Sequence, residues 1–474
     1  MVPLPNEHTA ARHRDAFSIA VFVFEQPGCT RNDIQARMDA DPRVAALSAR
    51  SRTSCILLLN TAIENGWVER KGNHRRVTYA VTADFRTAFA LNLVKSKANR
   101  TGSVGYDPEV LLSYEPNKSA YLSPRQRQFL ASKGKANYPF DPTNEPAKLA
   151  VRRFMTDISF HSSRLEGIRS NYADTLAFLE EDIQCERMSS HDAAILRNHH
   201  NTIRMMIEGI SHPPLPNDIT VSEYDIRVIH SSISDGLLKD RKDQGRLRTK
   251  PALISNSRYI PSANPALISQ MFAMLVTKAA QIHDPFEQSI FLAIHLPYLQ
   301  PFVDCNKRTS RLAANIPMLR AGMIPFSWAH ISAEDYNDTM VTMYEYQEAR
   351  PFAELFAEAY SQSCERFEIL MDSREPSRVE ILFAKEIAEN VRGVILEERP
   401  IQPPANASPV QAQIFLHTVR SILSDIVENE MVAAPYQIAR PELTAWRKSA
   451  AAPRHANASE TGDDSLAQNW DAPA

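Results

Sequence analysis

One acidic residue, two amides and three basic residues are concentrated in a short stretch of the chain, QPFVDCNKRTSR at 300–311. Two apolar segments with helical periodicity flank its central part, DPFEQSIFLAIHLPYL on one side and TSRLAANIPMLRAGMI on the other. The residues between them, PFVDCNKR, should therefore form a loop that ends at a helix N-terminus. Free backbone N–H groups and the helix dipole make such a position attractive to anions.

The side chains of this stretch have the types needed to bind a nucleotide phosphate together with a hard cation. Lys307 and Arg308 add positive charge to the helix N-terminus, and Arg311 follows Arg308 by about one turn, so both guanidinium groups can face one pocket. Asn306 can donate its amide to a phosphate oxygen. Asp304 can hold a Mg²⁺ ion that bridges phosphates, since hard cations prefer oxygen ligands. The alternative is that these residues only cap a helix and pair on its surface.

The N-terminal part of the chain, residues 11–85, follows the pattern helix, helix, helix and two short strands. Thr30 is the predicted N-cap of the second helix, and Gly72 and Asn73 form the predicted turn between the strands. This order predicts a winged helix-turn-helix. The wing carries basic residues suited to a DNA backbone, namely Arg70, Lys71, His74, Arg75 and Arg76. The alternative is a winged helix that only packs on a neighbouring domain or a second subunit.

The remaining chain divides by composition and periodicity. Residues 86–145 are rich in Pro, Gly, Ser and Lys and predict a connector. Residues 146–372 have helical periodicity almost throughout, interrupted by GRLRTKPALISNSRYIPSANP, which predicts a hairpin-like flap. Residues 373–440 predict a helical C-terminal extension, and 450–474 have the composition of a disordered tail. The predicted fold class is mainly α, with a β-hairpin flap and an N-terminal winged helix-turn-helix.

Composition limits the classes of partner. The 474 residues suffice for two to four domains, and the net charge of -3 gives no general attraction to nucleic acid or anionic membranes. The five cysteines have no zinc-ligand spacing and predict reduced thiols. The N-terminus lacks the layout of a signal peptide, and no run approaches the roughly 20 apolar residues of a membrane helix. We therefore expect a cytoplasmic protein without membrane association.

The stretch QPFVDCNKRTSR resembles the signature of the Fic domain family, His-x-Phe-x-Asp/Glu-Gly-Asn-Gly-Arg-x-x-Arg. The positions that match are Phe302, Asp304, Asn306, Arg308 and Arg311. Three positions differ, with Gln300 for His, Cys305 for the first Gly and Lys307 for the second. Members transfer a nucleoside monophosphate, usually AMP from ATP, to a protein hydroxyl. The resemblance implies ATP as substrate, Mg²⁺ at Asp304, an anion hole from Asn306 to Arg308, and a target protein, which can be the chain itself. Helical members often form homodimers.

A second motif, SSRLEG at 162–167, resembles the inhibitory helix of autoinhibited Fic proteins, Ser/Thr-x-x-x-Glu-Gly/Asn. Ser162 and Glu166 occupy the matching positions, on a helix expected near 157–167. The resemblance implies that Glu166 pairs with Arg311 and blocks the γ-phosphate. A carboxylate and a phosphate are alternative bidentate partners for one guanidinium group. Without the downstream signature, the motif would indicate only a helix start with a surface glutamate.

Gln300 changes the chemistry that the resemblance implies. The family histidine removes the proton of the target hydroxyl, and an amide cannot, so we expect a loss of roughly 10²–10⁴-fold in rate if only proton transfer is affected. His295 is about 140° away round a helix and is a poor substitute. Tyr298 and Cys305 are nearer but are ordinarily packing residues. Lys307 resembles the Doc branch of the family, in which the segment NKR accompanies a kinase reaction.

Three functions are consistent with the sequence. The first is a Fic-type protein adenylyltransferase, autoinhibited by Glu166 and weakened by Gln300. The second is a catalytically impaired nucleotide-binding protein that regulates transcription through DNA bound by its winged helix. The third is the reverse reaction, removal of AMP from a modified protein, with Glu166 orienting a water molecule.

Overall fold

The structure is a computed structural model that describes residues 4, 11–40, 52–73, 77–97, 100–135, 145–168, 170, 172–181, 188–210, 221–372, 383–407 and 409–448. Helices dominate these residues, as predicted, and the four short strands form two separate two-stranded sheets. Among the described residues, no helix is both long and apolar enough to cross a bilayer. The predicted disordered tail at 450–474 lies outside them.

The N-terminal region contains three helices and a two-stranded ribbon in the predicted order. They are Ala11–Glu25 (α1), Arg31–Ala40 (α2), Arg52–Glu64 (α3), Val68–Lys71 (β1) and Thr78–Val81 (β2). The ribbon is antiparallel. Thr30 precedes α2, and its hydroxyl accepts the Asp33 backbone N–H while donating to the Asp33 carboxylate. The assignment of this region as a winged helix-turn-helix stays a prediction.

The segment expected to be a connector contains more helix than its composition predicts. Helix Ala83–Lys95 (α4) crosses the expected boundary at residue 85 because Thr82 caps its first turn. A short strand, Val104–Gly105 (β3), and the helices Glu109–Leu112 (α5) and Pro124–Gly134 (α6) follow. Ser123 and Gln126 form a capping box at the start of α6, a local signal that outweighs the surrounding Pro and Lys content.

The central part of the chain is a helical assembly around one large apolar core. Its elements begin with Glu145–Arg164 (α7), Ser190–Ile210 (α9), Glu223–Ile233 (α10), Tyr259–Ile260 (β4) and Pro265–Gln281 (α11). The helix between α7 and α9 in sequence, Tyr172–Glu181 (α8), belongs to a second unit described below. They continue with Pro285–Leu299 (α12), Asn306–Ala313 (α13), Asn315–Arg320 (α14), Ala333–Tyr346 (α15) and Arg350–Asp372 (α16). Residues 286–299 of α12 are all buried, as expected for a helix that is apolar on every face.

The predicted flap contains β4, but the partner of β4 is β3 and not a second flap strand. The two strands are parallel, with Val104 opposite Tyr259 and Gly105 opposite Ile260. No hairpin ladder forms within residues 250–262, all of which the structure describes. Pro251 and Pro261 lack the N–H groups that a ladder needs, which accounts for the difference.

Arg248 holds the two arms of the flap instead. This side chain is buried, and its three kinds of guanidinium nitrogen donate to backbone carbonyls: Nε to Gln300 (2.6 Å), Nη1 to Lys250 (2.8 Å) and Nη2 to Ser262 (2.7 Å). The sequence analysis did not single out Arg248. One side chain therefore fixes the flap to the loop that follows α12.

Arg248→Lys is expected to lower the free energy of unfolding by about 2 kcal/mol, because an ammonium group cannot reach all three carbonyls in the planar geometry of a guanidinium. Chemical denaturation of the two proteins measures the change. Arg246→Lys is the matched control, since Arg246 is exposed two residues away. Equal losses for both variants would contradict the assigned role of Arg248.

A second compact unit combines residues far apart in sequence. It comprises Asn171–Ile183 and Arg374–Ala474. Within it α8 contacts Ala384–Glu397 (α17), and the other helices described are Pro409–Glu428 (α18) and Arg440–Lys448 (α19). Its core is separate from the central one. The sequence analysis predicted a helical C-terminal extension but not the contribution of α8.

Candidate anion-binding site

The loop between α12 and α13 is bounded by two residues in the left-handed region. Gln300 ends α12 with φ 51° and ψ 59°, and its N–H donates to the Leu296 carbonyl (3.0 Å). Cys305 precedes α13 with φ 59° and ψ 13°, where many Fic proteins have glycine. These two reversals turn the loop sharply, so that the N-terminus of α13 follows directly after it.

Gln300 and Asn306 close the loop from inside. The Gln300 amide donates to the Pro297 carbonyl (2.9 Å) and accepts the Asn306 amide N–H (2.8 Å). Asn306 also donates to the Phe302 carbonyl (2.9 Å) and accepts the Phe302 N–H (3.0 Å). Both side chains are buried. Gln300 therefore stabilises the loop, and the Asn306 amide donates its hydrogen bonds within the loop rather than to a ligand.

A buried histidine supports the loop from the side of α10. His230 stacks on Phe302, with ring centroids 3.8 Å apart. Its Nδ1 accepts the Gly245 N–H (2.9 Å), which leaves the Nε2 proton to donate to the Asp304 carbonyl (3.2 Å). Burial lowers the pKa of His230 to about 4. With both ring nitrogens used and the ring neutral, His230 is a support and not a proton acceptor.

Two arginines of α13 have buried nitrogen atoms without a partner. Arg308 is 6% exposed and Arg311 is 0% exposed. Nε and Nη1 of Arg308 and Nη1 of Arg311 make no hydrogen bond within the part of the chain that the structure describes. Leaving a buried charged donor unsatisfied is costly, so such groups ordinarily serve a ligand or a bound water. These three nitrogens can donate hydrogen bonds to a bound anion.

The glutamate of the second motif lies against these arginines. Glu166 follows the end of α7 in a turn, and its Oε1 accepts a hydrogen bond from Arg311 Nη2 at 2.6 Å. Its Oε2 is 3.9 Å from Arg308 Nε, which is too far for a hydrogen bond. Arg311 also donates to Ser162, from Nε to the hydroxyl (3.0 Å) and from Nη2 to the carbonyl (3.1 Å). The structure thus brings together residues separated by about 145 positions, as the motifs predict.

Electrostatics keeps this glutamate ionised. Burial acts to raise the pKa of Glu166, but the positive charges of Arg311, Arg308 and Lys307 outweigh it and lower the pKa to about 2. Arg311 is stabilised as a cation by the same contact, since its pKa is raised against the effect of burial. An anion that displaces Glu166 must compensate for this ion pair.

Helix α15 covers the other side of the arginines. The Tyr336 ring lies under the Arg311 guanidinium, 5.2 Å from centroid to Cζ, an arrangement that favours a cation. Asn337 accepts a hydrogen bond from Lys307 Nζ at 3.0 Å. Burial lowers the pKa of Lys307. Lys307 is thus held beside the anion site by a neutral partner.

The residues fit a magnesium ion only together with a nucleotide. Asp304 is exposed, and its Oδ1 accepts the Cys305 N–H at 2.6 Å. Among the described residues, no group of three or more His, Cys, Asp or Glu side chains is placed to hold a metal. A single carboxylate plus phosphate and water oxygens is the usual ligand set of Mg²⁺ in nucleotide sites. Asp304 is the residue that would hold it, and the ion would neutralise phosphate charge.

The alternative proton acceptors considered from sequence are all engaged or buried. His295 is buried with its Nε2 2.6 Å from the Tyr121 hydroxyl, and burial lowers its pKa to about 3. The Tyr298 hydroxyl accepts the Asp107 N–H (3.2 Å), and burial raises its pKa to about 12. Burial likewise raises the pKa of Cys305 to about 12, which describes an inert thiol. None of them replaces the family histidine.

The candidate DNA contacts are only partly described. Arg70 and Lys71 are exposed on β1, and Lys71 Nζ lies 2.9 Å from Glu69. His74, Arg75 and Arg76 lie outside the described residues. DNA binding stays a prediction.

Low pH is expected to lower the free energy of unfolding because Glu166 becomes protonated. Its folded-state pKa is below the unfolded value near 4.5, so its contribution is complete above about pH 5 and is lost as pH falls toward 2. The advantage of the wild type over Glu166→Gln should therefore shrink by about 1–2 kcal/mol between pH 6 and pH 3, the residue being partly screened by solvent. Thermal denaturation at both pH values measures it. A constant difference would contradict the ion pair.

The site combines a helix N-terminus, two buried arginines and a carboxylate that pairs with one of them. The sequence model of the Fic/DOC family matches residues 220–318, which include α10 to α13 and most of α14. This chain therefore contains a Fic/DOC family domain.

Curated relatives carry matching names. "Protein adenylyltransferase Fic" of Nematostella vectensis is 25% identical over 228 residues, or 47% of this chain and 51% of that protein. "Protein adenylyltransferase fic-1" of Caenorhabditis briggsae is 26% identical over 275 residues, or 54% of this chain and 52% of that protein. The chain spans about half the length of the curated relatives it matches.

Solved structures of Fic proteins are also similar. A Fic domain containing signaling protein from Bacteroides thetaiotaomicron has a TM-score of 0.42 at 20% identity, covering 53% of this chain and all of that one. Fic-1 from C. elegans has a TM-score of 0.44 at 16% identity, covering 77% of this chain and 99% of that one.

Proposed function

We propose that the chain is a Fic-type protein adenylyltransferase that transfers AMP from ATP to a protein hydroxyl and is autoinhibited by Glu166. One observation carries the proposal: buried nitrogens of Arg308 and Arg311 that have no partner among the described residues lie beside a carboxylate that already pairs with Arg311. An anion site with a built-in anionic competitor is a switch between two electrostatic partners. The names of the curated relatives support the same activity.

The roles of the residues follow from their positions. Arg308 and Arg311 bind phosphate oxygens with their free nitrogens, and Lys307 adds a third cation at the rim. Asp304 holds magnesium, which neutralises phosphate charge when bound. Gln300 keeps the loop closed and takes no proton. Transfer then depends on positioning and charge stabilisation, which need no general base.

Incubation with magnesium and ATP labelled on either the α- or the γ-phosphate tests this proposal. Label from α-ATP on a protein, located by mass spectrometry, is the expected result with Glu166→Gly. Label from γ-ATP alone would indicate phosphate transfer, the reaction of the Doc branch that Lys307 suggests. No α-label in the wild type, Glu166→Gly or Glu166→Gly/Gln300→His would refute adenylyl transfer.

A second candidate, a nucleotide-responsive DNA-binding regulator, is favoured by the contacts of α15. On the site side, Asn337 binds Lys307. On the other side, Arg86 of α4 donates to the Tyr346 carbonyl at the end of α15 (3.0 Å). Arg350, just after α15, pairs with Asp84 of α4. One helix thus contacts both the anion site and the N-terminal region that carries Arg70 and Lys71.

Electrophoretic mobility shifts with random-sequence DNA, with and without saturating MgATP, test this candidate. A change in DNA affinity that disappears in Asn337→Ala is the expected result. DNA affinity that is equal with and without nucleotide would contradict the regulator and leave the transferase proposal unaffected.

A further inference from the structure

A histidine of α9 lies directly behind the arginine that pairs with Glu166. His199 is 0% exposed, and its Nδ1 lies 2.9 Å from the Ile195 carbonyl. Its Nε2 lies 3.1 Å from the Ser162 hydroxyl, and the Ser163 hydroxyl is 3.5 Å from Nδ1. No sequence motif indicated a role for His199 or for the adjacent His200.

The partners of the imidazole fix the direction of the hydrogen bonds. A carbonyl can only accept, so Nδ1 carries the ring proton and donates it to Ile195. Nε2 of the neutral ring must then accept, and the Ser162 hydroxyl donates to it. The lone pairs of that hydroxyl face the Nε–H of Arg311, which donates at 3.0 Å. The result is a series of hydrogen bonds that runs from Arg311 through Ser162 and His199 to the Ile195 carbonyl.

The hydrogen-bond directions described above require the His199 ring to be neutral. Burial, together with the charges of Arg311 and Arg308, lowers the pKa of His199 to about 3. A protonated ring would turn Nε2 into a donor and place a third cation beside the two arginines. The series therefore keeps one direction across the physiological pH range.

The series determines which arginine nitrogens remain for a ligand. Nε of Arg311 is used by the Ser162 hydroxyl, and Nη2 by the Ser162 carbonyl and Glu166. Nη1 has no partner among the described residues. With Nε and Nη2 both bonded, the plane of the guanidinium is fixed, and Nη2 is directed at Glu166.

We propose that His199 is a positioning residue, which acts through Ser162 to orient Arg311 for whichever anion it pairs with, Glu166 or a nucleotide phosphate. The phosphate part rests on the proposed function; the orientation of Arg311 does not. An ordinary buried histidine would only fill space and satisfy its own nitrogens. In that case any residue of similar volume would serve equally well.

Three substitutions separate these roles. Gln can place an acceptor oxygen where Nε2 lies and so restore the partner of Ser162. Asn can place a donor near the Nδ1 position but has no acceptor within reach of Ser162, and Leu has neither. His200→Leu is the matched control, because His200 is the next residue of α9 and, among the described residues, makes no hydrogen bond to Ser162 or Arg311.

The first measurement needs no nucleotide. The Nε–H resonance of Arg311, assigned by its loss in Arg311→Lys, reports solvent exchange of the proton donated to Ser162. We expect exchange at least about tenfold faster in His199→Leu and His199→Asn, as for loss of one hydrogen bond, and near the wild-type rate in His199→Gln and His200→Leu. Equal exchange in all four variants would overturn the proposal.

The second measurement is calorimetric titration of MgATP in the Glu166→Gly background. The dissociation constant should rise about tenfold with Leu or Asn at 199 and stay within about twofold with Gln. Unchanged affinity in all three variants would contradict positioning for phosphate. The predicted exchange pattern without ATP binding by any protein would support the orientation of Arg311 and refute the proposed function instead.

Discussion

Glu166→Gly is expected to tighten MgATP binding by about 10–100-fold, because Arg311 can then donate one more charge-assisted hydrogen bond to the nucleotide. In the wild type, the carboxylate occupies Arg311 Nη2 at 2.6 Å. A phosphate can reach that nitrogen only after Glu166 has left it. Removing the side chain gives the phosphate Nη2 together with Nη1, a bidentate site.

The same substitution should destabilise the protein when no nucleotide is present. Arg311 would be a fully buried cation without its counter-ion, a loss of about 1–2 kcal/mol because the Glu166 carboxylate is itself partly exposed to solvent. Bound ATP would replace the missing charge. MgATP should therefore raise the melting temperature of Glu166→Gly more than that of the wild type.

Glu166→Gln serves as the control that separates charge from space. It keeps the volume of the side chain but removes its negative charge. Its affinity for ATP should therefore lie between the affinities of the wild type and of Glu166→Gly. Calorimetric titration of the three proteins measures the affinities. Equal affinities would show that Glu166 does not compete with the ligand, and the autoinhibitory role would have to be abandoned.

The sequence could predict the parts of this site that depend on local pattern. Two apolar helical segments interrupted by polar residues predicted a loop at 301–308 that ends at a helix N-terminus; the helix begins at Asn306, within the predicted loop. The pairing of Glu166 with Arg311 depended on two family motifs, since nothing local connects residues that far apart. Both residues were brought together as predicted.

The supporting residues could not be predicted because their roles depend on which helix packs behind which. His199, His230 and Arg248 lie in segments of mixed polarity, where no local pattern distinguishes a buried supporting side chain from an exposed one. Gln300 was interpreted only as a missing base, because the left-handed turn that directs its amide inward is set by the loop as a whole. The joining of α8 to the C-terminal helices likewise depends on tertiary contacts across about 200 residues.

Gln300→His in the Glu166→Gly background is expected to raise the rate of AMP transfer by about 10²–10⁴-fold, the usual contribution of a positioned general base. The backbone tolerates the change, since histidine is among the residues enriched in the left-handed region that Gln300 adopts. Turnover measured with α-labelled ATP, at saturating nucleotide, gives the rate. The affinity for ATP should fall, but no further than in Gln300→Ala, since histidine can keep at most one of the two hydrogen bonds of the amide.

The dependence of this rate on pH distinguishes a base from a structural effect. A histidine base must be neutral to accept a proton, so the rate of Gln300→His should rise with pH and level off above about 6.5. The parent protein, which keeps Gln300, has no histidine in the loop, so its rate should not show this rise with pH.

Gln300→Ala is the control for the loop itself. It removes the hydrogen bonds to Pro297 and Asn306 without adding a base, so it should weaken nucleotide binding and leave the pH profile flat. If Gln300→His behaves like Gln300→Ala in both rate and pH profile, the loop does not present this position to the α-phosphate. The Fic scaffold would then serve nucleotide binding rather than transfer, and the regulator that α15 connects to the N-terminal region would become the better account.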